Sequence, residues 1–293
     1  MSSAFSVAQG ACHQVSIISS PFDQRTRSCI EATGFDERLE CSWPSSVSFV
    51  DEKVVSEFDL IVIGVSSAGM GWAIDIARSL INHKKVPVLL LTKGLQQSGD
   101  TLVALPVWVQ ETLGVDVLAI TGPCIAKELA QGCKTSVEIS SNQYALAVQW
   151  SSLLSLPHYT LCPNEDMIGC QLLAALKNVY AIIIAKAGDH LNHRSSLFAQ
   201  SLFEMQQWLS DYHADDKNTY GLSGTGDLYV TCLGGRNGKF GHYLSTGLSV
   251  TEILEGPMKD VTIEGLDLAM LLAKSPQKVG KTLFLDLLQT LGC

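Results

Sequence analysis

Two textures follow one another along the chain. In the first, short apolar runs alternate with helix-length segments. Residues 14–19 (QVSIIS) read as a strand, and a polar, irregular segment runs from there to about Glu57. DLIVIGV (59–65) and VPVLLL (86–91) are runs of the kind found in strands covered on both faces of a parallel sheet, and the stretch between them, Gly69–His83, has helix length. VDVLAI (115–120) and TSVEIS (135–140) add two strands, with CIAKELAQG as a short helix between them. A helix over Gln143–Leu154 and a strand at His158–Leu161 close this half. Strand–helix–strand repetition predicts a parallel sheet with helices on its faces.

After Pro163 the texture changes. EDMIGCQLLAALKNVYAIIIAKAG (165–188) is too long and too evenly apolar for a strand, and its acids stand where a helix N-terminus favours negative charge. HRSSLFAQSLFEMQQWLSDYH (193–213) is an amphipathic helix, and VTIEGLDLAMLLAKS and KTLFLDLLQTLG are further helices. No strand is expected beyond residue 161. The reading is an α/β domain over 1–163 and an all-helical domain over 164–293, with no internal repeat.

Composition narrows the classes open to such a chain. Of 293 residues, 46% are apolar and 17% charged, enough for a large buried core. A formal net charge of −9 and the lack of a basic run argue against nucleic acid as a partner. The apolar stretch Phe58–Ile76 is interrupted by Asp59 and Asp75, so no membrane span is expected. The start MSSAFSVAQG lacks the basic and apolar regions of a secretory signal. Nine cysteines without a Cys-x-x-Cys pair read as small hydrophobes in a reducing cytoplasm, and seven histidines without ligand spacing suggest no metal.

The candidate chemistry lies in four places. GLSGTGDLYVTCLGGRNGKFG (221–241) sets seven glycines around Asp227, Thr231, Arg236 and Asn237. A forked cation beside exposed amides suits an anion, while capping glycines in a surface loop are the plainer reading. Lys177 shares a helical face with Leu173, Ala174, Ala181 and Ile184. Burial there lowers a lysine's pKa toward the range where it exchanges protons, unless the ammonium snorkels to water. Lys93 follows a buried strand directly, at the carboxyl end where open α/β sheets hold ligands. Asp227 and Thr231, four apart, face one way if a helix starts there.

TKG, TGPCIAKE, LKNVYAI, GLSGTGDLYVTC, GGRNGKFG and VTIEGL occur in this order between Asp59 and Leu266. In that order and spacing the chain resembles the NAD(P)-dependent glycerol-3-phosphate dehydrogenases. The resemblance implies a Rossmann-like parallel-sheet domain followed by an all-helical, 6-phosphogluconate-dehydrogenase-like C-terminal domain. It implies reversible oxidation of sn-glycerol 3-phosphate with NAD or NADP as cofactor, and a homodimer. Lys177 corresponds to the family's catalytic lysine, which accepts the C2 hydroxyl proton; Lys93 and Asp227 belong to the same catalytic group. Substrate contacts would come from Lys93, Gly122, Cys124, Asn178, Thr231, Gly235, Arg236 and Asn237, the last three gripping the phosphate. Cofactor contacts would come from Val65, Lys93, Ala126, Arg236, Thr262 and Glu264.

The family's first strand ends in Gly-x-Gly-x-x-Gly, whose amides hold the cofactor pyrophosphate. No such motif occurs in the 293 residues. FSVAQGACHQVSII reads as the end of a first helix, a turn and a second strand, so the first strand and its loop are expected to be lacking and cofactor binding weakened or lost. Gln171 stands where the family usually has Glu, and Cys124 where it has Ser or a similar polar residue.

Overall fold

The computed structural model describes residues 1–54, 57–81, 86–98 and 101–292; the expected helix end at His83 lies outside them. In chain order the elements begin α1 (Ser2–Gln9), β1 (Val15–Ile17), α2 (Gln24–Thr33), β2 (Phe35–Asp36), β3 (Cys41–Ser42), β4 (Val47–Phe49), β5 (Ile61–Ile63), α3 (Met70–Ile81) and β6 (Val88–Leu90). They continue with β7 (Leu95–Ser98), β8 (Thr101–Ala104), α4 (Leu105–Leu113), β9 (Val117–Thr121), α5 (Ala126–Ala130), β10 (Thr135–Ser140), α6 (Tyr144–Leu154) and β11 (Tyr159–Asn164). Helices follow: α7 (Met167–Ala185), α8 (Leu191–Asp211), α9 (Asp227–Cys232), α10 (Arg236–Ser245), α11 (Val250–Glu255), α12 (Glu264–Leu272) and α13 (Thr282–Leu291). Contacts divide the chain into two compact units. The first holds Met1–Thr92, Val109–Ile120 and Cys124–Glu165; the second holds Lys93–Trp108, Thr121–Pro123 and everything from Asp166 onward.

In the first unit a five-stranded sheet runs in the order β11-β10-β9-β6-β5. The pairs β5–β6, β6–β9 and β10–β11 are parallel. Val88, Leu89 and Leu90 of β6 are fully buried, as an unbroken apolar run in the middle of a parallel sheet requires. Leu89, Leu118 and Ile139, from three neighbouring strands, form one core with Leu129 of α5 and Trp150 of α6. Helix α1 joins this core through Ala4, Phe5 and Ala8 and packs on α5. Phe5 meets Tyr159 edge to face, with ring centroids 6.3 Å apart. The strand after α1, β1, pairs in parallel with β4 as a separate two-stranded sheet.

The segment expected to be irregular up to Glu57 contains α2, the antiparallel pair β2–β3, and β4. Helix α2 carries no apolar stripe, only Ile30 being buried, so hydrophobic periodicity had nothing to report. An Arg27–Glu31 ion pair of 2.9 Å one turn apart and a left-handed Gly34 at its end are its local signals.

The second unit is built around α7. Its N-cap is Asp166, whose Oδ1 accepts from the Gly169 amide (2.8 Å) while Oδ2 accepts from the Asp215 amide and Asn218 Nδ2, both 2.8 Å. Helices α8, α9, α10, α12 and α13 pack against α7. By length and apolarity α7 resembles a membrane-crossing helix, but 83% of its most apolar stretch is buried inside the protein. Glu204 of α8 is buried beneath the start of α13. It accepts from the Leu283 amide (2.6 Å), the Phe284 amide (3.2 Å) and Tyr180 Oη (3.0 Å), and burial raises its pKa. No strand is described after Asn164; the antiparallel pair β7–β8 comes from earlier in the chain, where none was expected.

Helix α10 crosses α7 at Gly241. A Cβ added there would meet the Ile182 carbonyl oxygen at 2.3 Å and Ala185 Cβ at 2.8 Å. Gly241→Ala should therefore destabilise the protein by about 1–3 kcal/mol, the usual cost of overpacking. Gly238, on the same helix, has open space at its Cβ position. Gly238→Ala should stabilise by about 0.5–1 kcal/mol through helix propensity alone. Urea unfolding of the two variants should give opposite signs.

Candidate functional site

At the middle of α7 a lysine and an asparagine interrupt the apolar sequence. Lys177 is 12% exposed at its side chain and forms an ion pair with Asp227 Oδ1. The other oxygen, Oδ2, accepts from Lys93 Nζ at 2.7 Å. Lys93 Nζ also donates to the Gly122 carbonyl at 3.0 Å. Asp227 is 1% exposed, so its negative charge, withdrawn from water, is held by two ammonium groups. Lys93, Gly122, Lys177 and Asp227 all belong to the second unit.

Each partner is delivered by a different device. Lys93 follows β6 and precedes the β7–β8 hairpin, and the Gly94 amide donates to Gln171 Oε1 (3.3 Å), a fully buried side chain on α7. Gln171 Nε2 has no hydrogen-bond partner among the described residues. Gly122 directly follows the end of β9. Asp227 is the first residue of α9, after a π-helical turn over Leu222–Gly226; such turns recur at functional sites. Thr231 Oγ1 donates back to the Asp227 carbonyl at 2.6 Å.

Burial is the largest influence on Lys177, and it lowers the pKa; the Lys93 charge lowers it further, while Asp227 raises it. The balance brings Lys177 down from 10.5 to about 8. Cys232 of α9 also senses this lysine: burial pushes its thiol up to about 11, against the charges of Arg194 and Lys177.

The remaining site candidates in the second unit form two groups. Asn178 Oδ1 accepts from Asn237 Nδ2 (2.9 Å), and Asn237 Oδ1 accepts from the Gly265 amide (2.9 Å), so a chain of amides ties α7, α10 and α12. At the surface, Arg236 is ion-paired with Glu264, the first residue of α12, and both side chains are about half exposed. Gly235, with φ +94°, caps α10 immediately before Arg236. Thr262 is exposed two residues before Glu264. Val65, Cys124 and Ala126 lie in the first unit. The Val65 carbonyl accepts from Thr92 Oγ1 (2.7 Å), Cys124 Sγ is 3.8 Å from Met1 Sδ, and Ala126 starts α5.

Three contacts could not be read from the sequence, although Gln171 itself stands out there as a departure from the family's usual Glu. Gln171 under Gly94, Cys232 beside Lys177, and a hydroxyl pair between Thr121 and Ser223 (2.5 Å) all join residues far apart in the chain.

A parallel-sheet α/β unit and a helical unit whose central helix sets a buried lysine against a carboxylate define the class of protein: an α/β unit joined to a helical one. The sequence profile of the NAD-dependent glycerol-3-phosphate dehydrogenase N-terminus matches residues 36–147, and that of the C-terminus matches 166–290. An NADP(+)-dependent glycerol-3-phosphate dehydrogenase of Archaeoglobus fulgidus is 31% identical over 228 residues, 74% of this chain and 66% of that one. A glycerol-3-phosphate dehydrogenase [NAD(P)+] of Chlamydia muridarum is 33% identical over 221 residues, 70% of this chain and 64% of that one. The chain thus spans just under two thirds of the length of these two relatives. The crystal structure of a glycerol-3-phosphate dehydrogenase from Coxiella burnetii superposes with a TM-score of 0.83 at 26% identity, covering 99% of this chain and 90% of that one. The chain belongs to the NAD-dependent glycerol-3-phosphate dehydrogenase family.

Two tests follow from the lysine pair. A lysine whose pKa is about 8 when folded and 10.5 when free binds fewer protons folded than unfolded between those values. The contribution of Lys177 to stability therefore rises with pH across that window. Lys177→Met should remove this rise, read as the difference between the two proteins' urea midpoints at pH values from about 8 to 10.5. In Asp227→Asn the influence that raises the Lys177 pKa is gone while burial and Lys93 remain, so Lys177 should titrate below about 8. Amine-selective labelling at a series of pH values, resolved by peptide mass spectrometry, reads that midpoint.

Proposed function

We propose that the chain catalyses reversible oxidation of sn-glycerol 3-phosphate to dihydroxyacetone phosphate with NAD or NADP. The observation that carries this reading is the Lys93–Asp227–Lys177 arrangement. A proton acceptor for a secondary alcohol must be neutral for part of the time near physiological pH, and Lys177, brought to about 8, meets that requirement. Asp227 keeps the acceptor in place and balances the proton once taken. Lys93, 20% exposed, offers its ammonium to the substrate oxygens. Arg236, Asn237 and Gly235 hold the substrate phosphate, with Gly122, Cys124, Asn178 and Thr231 as further contacts.

Val65, Lys93, Ala126, Arg236, Thr262 and Glu264 would hold the cofactor. The second-unit members of this set fit such a group: Arg236 is a half-exposed guanidinium for phosphate, and Glu264 a half-exposed carboxylate able to accept from ribose hydroxyls. When bound, the nicotinamide supplies the hydride acceptor. On this reading residues 1–163 bind nucleotide and 164–293 bind substrate, in a cytoplasmic homodimer.

A second reading is a family member that keeps the substrate pocket with turnover impaired. Each charge-assisted amide bond to a pyrophosphate is worth about 1.5–3 kcal/mol, so lacking two of them would weaken binding by about two to four decades. Titration with NADH, followed by nicotinamide fluorescence, separates the readings: saturation at micromolar cofactor favours the dehydrogenase, and no saturation favours the impaired member. Lys177→Met should abolish turnover with substrate binding nearly intact. Arg236→Ala should weaken binding of glycerol 3-phosphate by about 1.5–3 kcal/mol, the scale for charge-assisted hydrogen bonds lost from a half-exposed guanidinium. Calorimetric titration of both variants with glycerol 3-phosphate checks the contrast, and equal losses would place Lys177 among the phosphate contacts.

A further inference from the structure

Thr121 and Ser223 are both fully buried, and their hydroxyl oxygens lie 2.5 Å apart across 102 residues of sequence. Thr121 is the last residue of β9, and Ser223 stands inside the π-helical turn Leu222–Gly226. Each is a short step from a partner of Lys93. Gly122, next to Thr121, supplies the carbonyl 3.0 Å from Lys93 Nζ, and Asp227, four residues after Ser223, supplies the carboxylate 2.7 Å from it. The same two segments are therefore joined twice, once by the hydroxyl pair and once through the lysine's ammonium.

The turn between Ser223 and Asp227 has little freedom. A Cβ on Gly224 would meet the Thr219 carbonyl oxygen at 2.2 Å, so the π turn lies directly on the preceding 3-10 turn. Thr225 Oγ1 donates to that same carbonyl (2.8 Å), and the Gly226 amide donates to Gly221 O (3.2 Å). A shift at Ser223 is thereby passed on to Asp227. The two links also differ in what can break them. An anion drawn to Lys93 competes with Asp227 for the ammonium, whereas the hydroxyl pair does not depend on that cation.

We propose that Thr121 and Ser223 are positioning residues, a hydroxyl clamp that keeps the Asp227 carboxylate in register with Lys177. The consequence for turnover rests on Lys177 being the proton acceptor; the placement of Asp227 does not. A pair that merely satisfied two buried hydroxyls would contribute to stability and leave Lys177 untouched.

The test compares the native chain with Ser223→Ala, Thr121→Val, Thr121→Ser and the double variant Ser223→Ala/Thr121→Val. Trace acetylation with acetic anhydride across a pH series, read by peptide mass spectrometry, gives the Lys177 midpoint without any ligand. A loosened Asp227 withdraws its support from the ammonium, so Ser223→Ala and Thr121→Val should lower that midpoint by roughly half a pH unit or more. Thr121→Ser, which keeps the hydroxyl, should match the native chain, and the double variant should move no further than the larger single shift. Folded Ser223→Ala and Thr121→Val proteins with an unmoved midpoint, even if less stable to urea, would overturn the proposal. If Thr121→Val does not fold, Thr121→Ala takes its place under the same criterion. Where the native chain turns over glycerol 3-phosphate, kcat should fall in the two single variants with KM nearly unchanged. Absent turnover in the native chain counts against the proposed activity and leaves the labelling result to decide the clamp.

Discussion

One carboxylate shared between two lysines is the constraint around which the second unit is arranged. Asp227 is sealed from water, and an unpaired charge in that position would be costly enough to be neutralised or expelled. Two cations meeting one anion leave a surplus of positive charge. It falls on the more deeply placed lysine, whose ammonium is the form that burial disfavours most. The result is a lysine whose pKa is brought down to about 8 while its neighbours hold it still. The Gly122 carbonyl, the back-bonded Thr231 and the π turn before α9 all act on where that carboxylate sits.

Helix α7 supplies the rigid side of this arrangement. The same helix carries Gln171 beneath Gly94, Lys177 on Asp227 and Asn178 on Asn237. Its other side chains are almost all apolar and packed by surrounding helices, so the polar groups cannot shift independently of the core. The Arg236–Glu264 pair differs in kind. It is half exposed and screened by solvent, so the guanidinium exchanges partners at small cost. The Lys177–Asp227 pair, set between two packed helices, and the Arg236 cation at a surface helix end therefore differ in how freely they can change partners.

Membership of the glycerol-3-phosphate dehydrogenase family gives these local features a common context, and the fold agrees with it at both levels: a parallel sheet in one unit and a helical core in the other. The contact division does not follow the chain in one cut. Lys93–Trp108 and Thr121–Pro123 leave the sheet-forming part of the sequence and pack with the helices. Lys93 and Gly122 thereby come to share a unit with Asp227. A boundary drawn only from texture, near Pro163, assigns both to the other side.

Periodicity alone determined the buried strands β6, β9 and β10 and the helices α6, α7, α8, α12 and α13. Each has a continuous apolar run or a sustained apolar stripe, and burial of that surface is what stabilises the element. The anomaly of Lys177 was equally legible, because a charged residue inside an apolar helix is visible without coordinates. Helix α2 and the β7–β8 hairpin were not, since neither carries a stripe that distinguishes it from a loop. The shared carboxylate was beyond the sequence for a different reason. Lys93 and Lys177 lie 134 and 50 residues from Asp227, and nothing local says which cation meets which anion. Only packing around α7 decides that, because desolvation and Coulomb energies depend on distances of a few ångströms fixed by tertiary structure.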